Sequence, residues 1–125
     1  MDQTDLSKIA DAWIAFNEIG IDSPESSDLW WAIQKVMEWN IDRPELVWEF
    51  ILLANNMRLS DKVTQNLAAG PLEDLLVAHG SQFIERIVKL AQQDESFSNL
   101  LGGVWQNAIS PEIWNQLIAV RKQRW

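Results

Sequence analysis

The chain has no cysteine among its 125 residues. That excludes disulfides, thiolate zinc sites and cysteine nucleophiles, and it fits a reducing cytoplasm. Histidine is nearly as scarce: His79 stands alone, which leaves too few ligands for an ordinary zinc site. Long hydrophobic runs are missing too. The longest are of five residues, FILLA at 50–54 among them, far short of the ~20 apolar residues that cross a bilayer. The acidic opening MDQTDLSKIADAW has no apolar core of a secretory signal. No GxxxxGK[ST], GxGxxG, HExxH, GxSxG or EF-hand loop occurs, so the usual phosphate, dinucleotide, zinc, acyl-transfer and calcium chemistries have no signature here. The expectation is a cytoplasmic protein without cofactor, metal or membrane association.

The first half is also short of positive charge. Residues 1–50 hold eleven acids and three bases, a balance of −8, whereas residues 51–125 hold seven of each. Such an acidic half disfavours nucleic acid, whose phosphates demand Lys and Arg. It serves solubility, and it suits a basic protein partner. Apolar content of 47% beside 22% charged residues is that of a packed domain, and the length fits a single one spanning residues 1–125.

Four prolines punctuate the chain. Pro24, Pro44, Pro71 and Pro111 each precede a glutamate by one or two residues. Proline is welcome in a first helical turn, and glutamate there faces the positive end of the helix dipole. With no alternating strand pattern beside these starts, the periodicity predicts an all-α fold. It predicts helices over about 5–19, 26–39 and 44–57, short ones after Ser60 and Pro71, one capped by Ser81, one capped by Asp94, and a last one opened by Ser110-Pro111. Seven or eight short antiparallel helices of this kind suggest a HEAT-like stack. WNIDRPELVW (39–48) and WQNAISPEIW (105–114) echo one another, but their spacing about the proline differs and they do not form a repeat.

Eight tryptophans are many for this length. At about 100° per residue, Trp13, Trp30, Trp105 and Trp114 fall on inward stripes and are expected in the core. Trp31 falls opposite its helix's stripe beside Asp28, Lys35 and Glu38, and Trp48 opposite its own near Glu45 and Asn55, with Glu49 close in sequence. Either further helices cover them, or they anchor a partner, with Asp28, Glu38 and Glu45 steering it.

The densest stretch is AAGPLEDLLVAHG, residues 68–80. Gly70-Pro71 is expected to end one helix and start another, with Glu73 and Asp74 in the first turn. Leu72, Leu75, Leu76 and His79 follow i, i+3, i+4, i+7, which puts His79 on the apolar stripe, with Gly80 as the stop. Glu73 and Asp74 stand about 240° and 140° from His79 round a helix, so neither acid shares its face. A structural corner accounts for every residue. A catalytic set would need groups from other helices. Two glycines in LLGGVW, Gly102 and Gly103, suit either a close helix approach or a kink that shapes a groove beside Trp105.

AAGPLEDLLVAHG, FIERIVKLAQQDESF and LLGGVW together resemble the signature of a small bacterial family, a domain of unknown function, over about residues 67–106. LWWAIQKV and PELVWEFI are compatible with its first half. The signature positions are Gly70, Pro71, Glu73, Asp74, His79, Gly80, Phe97, Gly102, Gly103 and Trp105. The resemblance implies an all-helical bacterial domain and carries over no activity, cofactor or catalytic residue. The expected function is non-enzymatic protein binding, in its sharpest form an acidic immunity protein or antitoxin that neutralises a basic toxin. A scaffold or regulatory subunit is the alternative, and an enzyme using Glu73, Asp74 or His79 comes third.

Overall fold

The computed structural model describes residues 3–121, and every secondary-structure element among them is helical. Helix α1 spans Gln3–Ile19. It stops because Gly20 turns left-handed at φ +84° while its N–H donates to the Phe16 carbonyl, a conformation that only glycine takes without strain. A 3-10 turn over Pro24–Asp28 leads into α2, Trp30–Asp42. Helix α3, Pro44–Asn55, starts at its proline as expected. Ser60 caps α4, Asp61–Leu67, by accepting from the Val63 N–H.

The predicted break at Gly70-Pro71 does not occur. A π-helical turn, Ala68–Leu72, carries the chain from α4 straight into α5, Glu73–Gln93. Pro71 is the reason. Inside an α-helix its ring would crowd the carbonyl four residues back and leave it without a donor, and a wider turn relieves both. Nor does Gly80 end a helix with Ser81 capping the next. Helix α5 runs through both residues and bends at His79, whose φ −135°, ψ 25° depart from helical values. Asp94 caps α6, Glu95–Leu100, and Ser110 caps α7, Pro111–Ile118, each by accepting an N–H three residues on. Gly102 and Gly103 do not interrupt a helix. They lie buried in a 3-10 turn, Leu101–Gly103, that closes α6.

Helix α1 packs across α2, α3 and α4, while α5 lies against α2, α3, α6 and α7. Both faces of α3 are therefore covered. Val47, Phe50, Ile51 and Ala54 are buried, with Trp13 of α1 edge-on to Phe50 at 5.4 Å. Trp48 points the other way and is only 8% exposed, at 5.9 Å from Phe83 of α5 and 5.7 Å from Phe97 of α6. The bend at His79 precedes the half of α5 that carries Phe83 over α3. Trp48 is thus a second core layer and not a surface anchor. The signature residue Phe97 is its packing partner.

Three other tryptophans sit differently from expectation. Trp30, expected in the core, is 42% exposed and leans on Phe16 at 5.6 Å. Trp105, also expected inside, is 50% exposed. Trp114 is half-buried, with the Arg121 guanidinium 5.1 Å above its ring. Trp39 instead fills the core with Ala32 and Val36. The inward stripe of α2 therefore runs through Ala32, Val36 and Trp39, the face it turns to α1, α3 and α5.

Candidate functional site

The corner at 68–80 is where the two halves of the chain meet, and Asn40 of α2 is the joint. The His79 ring donates its Nε2 hydrogen to the Asn40 carbonyl at 2.6 Å. A carbonyl can only accept, so the tautomer protonated at Nε2 is the one that fits. The Asn40 side chain donates through Nδ2 to the Asp74 carbonyl at 3.3 Å. Its Oδ1 is buried and meets no donor among the described residues, a state that costs about 1–3 kcal/mol if nothing else relieves it.

Glu73 and Asp74 have separate roles. Glu73 accepts from the Trp105 backbone N–H at 3.2 Å and from Asn107 Nδ2 at 2.8 Å. It thereby holds the turn after Gly103, in which Asn107 adopts φ +42°. Asp74 makes no such bond. Partial burial raises its carboxyl above the usual carboxylate range, and the neighbouring Glu73 charge adds to the shift. Neither acid is hydrogen-bonded to His79 among the described residues, so no acid–histidine dyad is assembled.

Asp74 stands at the edge of a cleft of about 430 Å³. Trp13, Phe16 and Asn17 of α1 form one wall, and Ile33, Val36, Met37 and Asn40 of α2 form another. Val47 of α3 joins the lining, and the third side is the corner itself, with Asn66, Ala69, Gly70 and Pro71. Gly70 has a telling environment: apart from its chain neighbours and its own helical backbone, a methyl group on its α-carbon would meet nothing within 4 Å. No helix packs against it, and its missing side chain leaves the cleft wall low. Gly80 is the opposite case. A Cβ there would come within 3.3 Å of Ile113 Cγ1 and Cγ2, so this glycine permits α5 and α7 to approach. Gly103 and Trp105 line a second depression of about 340 Å³ with Gln65, Asn66 and Ala69.

Of the proposed docking residues, Trp31 is 49% exposed, and Asp28 and Glu38 are exposed. Glu45 is committed elsewhere. Its carboxylate takes both arms of the Arg86 guanidinium, at 2.7 and 2.8 Å, which holds its carboxyl below the usual range. Arg86 also lies 4.9 Å over the Phe83 ring, so this pair clamps α3 to α5 above the aromatic core.

The sequence reading missed Met37, 55% exposed, and Ile41, 81% exposed. With Trp30 they fall within about 40° of one another round α2. It also missed Asn40. A polar side chain flanking an apolar stripe was the available signal, and it lay 34 residues from its partner Asp74.

No group of three or more His, Cys, Asp or Glu side chains that could hold a metal ion occurs among the described residues. No helix among them is long and apolar enough to cross a membrane. No curated protein and no solved structure matches the chain. A family model does match, over residues 20–125; the chain belongs to this family, DUF6869, a family of unknown function.

Proposed function

We propose that the protein works by binding another protein, a basic one, through the exposed face of α2 and the cleft beside it. One observation carries the reading. Trp30, Trp31, Met37 and Ile41 stay exposed on a single helix, within the half of the chain that holds the entire net charge of −8. Large apolar side chains in a predominantly acidic surface, here with Lys35 one turn from Trp31, are what a docking surface for a basic partner needs. The apolar groups supply affinity, and the charges supply orientation and rate. Ile33 and Met37 connect this face to the cleft. A stacked, HEAT-like helical body suits such presentation, because it holds one helix face rigid toward a partner.

In its sharpest form the reading is an acidic immunity protein or antitoxin, at work in a bacterial cytoplasm and neutralising a basic toxin. The acidic half argues for a protein partner over nucleic acid.

The test is affinity capture from the native host, run in parallel with Trp31→Ala and Met37→Asp. The expected result is a Lys- and Arg-rich protein retained by the parent chain, released by salt and lost from both variants. Retention of the same proteins by parent and variants, or retention of acidic proteins alone, would overturn the proposal.

A further inference from the structure

We propose that the cleft between α1, α2 and the Ala68–Leu72 corner receives a lysine side chain of the partner, with Asp74 as its counter-ion. This rests on the reading that the partner is a basic protein. It adds the chemical identity of the anchor and the place where it enters.

Two features of the cleft converge on an alkylammonium group. Asp74 is the only charged residue among the described residues of its lining, and no base competes for it. Asn66 gives its Nδ2 hydrogen to Asn17 Oδ1 at 2.8 Å, which leaves its own carbonyl oxygen to accept. A lysine ammonium carries three donors and no acceptor, and so matches a site made of acceptors. Its four methylenes need apolar walls, which Trp13, Ile33 and Met37 provide. Partial burial and the Glu73 charge raise the Asp74 carboxyl, and a cation beside it would relieve both.

The probe is N-acetyl-lysine methylamide, titrated into the isotope-labelled chain and followed by amide chemical shifts. N-acetyl-norleucine methylamide, which has the same stem without the ammonium, is the control. Saturable shifts centred on Asn40, Gly70 and Asp74 are expected with the lysine compound, with none from norleucine. Asp74→Asn should weaken the lysine compound at least ~10-fold, as loss of a partly desolvated counter-ion does. Equal response to the two compounds, unchanged affinity in Asp74→Asn, or shifts centred elsewhere would overturn the assignment. The norleucine comparison needs no variant and decides the question even if Asp74→Asn were poorly folded. Because the titration uses only the purified chain, its failure is separate from failure of the α2 docking face, which the Trp31 and Met37 variants judge.

Discussion

His79 and Asn40, 39 residues apart in the chain, are joined by a 2.6 Å hydrogen bond from an imidazole N–H to a backbone carbonyl near the end of α2. The bond sits where α5 bends, so one side chain both marks the kink and ties it to the acidic half. His79→Ala should lower unfolding stability by about 1–3 kcal/mol, the cost of leaving a partly buried carbonyl without its donor. Urea unfolding measures the loss, and hydrogen exchange should quicken around residues 40–43. An unchanged urea midpoint would show that the bond contributes nothing.

Glu73 supports a different joint. Its two oxygens hold the Trp105 N–H and the Asn107 amide. Glu73→Ala should free the 104–109 turn while leaving α5 formed. The readout is local: faster exchange at the Trp105 amide, with a stability loss of about 1–2 kcal/mol. Uniform protection along the turn in the variant would contradict this role.

Gly70 and Gly80 should answer the same substitution differently. Gly70→Ala adds a methyl group that meets no other segment and gains helix propensity, but in helical backbone a Cβ before Pro71 crowds the proline ring. The two effects oppose, so stability should stay within ~0.5 kcal/mol of the parent. Gly80→Ala gains the same propensity but drives Cβ to 3.3 Å from two carbons of Ile113. That side chain is β-branched and stiff. Overpacking costs about 1–3 kcal/mol, so Gly80→Ala should fall below the parent. Thermal melts of the pair test both claims.

Asp74 gives the fold a pH signature. Its folded carboxyl titrates above the ordinary carboxylate value, so the folded chain holds that proton more tightly than the unfolded chain does. The contribution is fully present below the unfolded value and is lost as pH rises through the raised folded one. Asp74→Asn should therefore gain on the parent as pH climbs from about 3 through the titration of Asp74, and the difference should then stay level toward neutrality. A stability difference between the two proteins that is flat across the acid range would refute the shift.

The helical character of the chain was legible because its signals are local. Pro44, Ser60, Asp94, Ser110 and Gly20 act on their own first or last turns, and each starts, caps or stops a helix as its residue type predicts. The misplacements came where distant segments decide. Trp48 looks stranded on a polar face until α5 and α6 are laid over it. Trp30 looks inward until α1, α3 and α5 take the face that carries Ala32, Val36 and Trp39. Pro71 looks like a start because proline usually is one, and nothing local announces the π turn that absorbs it. The cleft was out of reach for the same reason. It joins α1, α2 and the corner, and neither Asn40 nor Asp74 marks it alone.

The π turn at Ala68–Leu72 also makes the chain's length in this region as consequential as its composition. A residue fitted into a wide turn sets the rotational phase between what lies before and after it. Removing one residue there, such as Ala69, would take away the width that Pro71 needs and swing α4 about 100° relative to α5. Val63 and Leu67, fully buried now, would be carried out of the core, and Asn66 away from Asn17. Side chains along the outer face of this corner are therefore open to exchange, whereas a single-residue deletion would be read as a rotation of everything upstream.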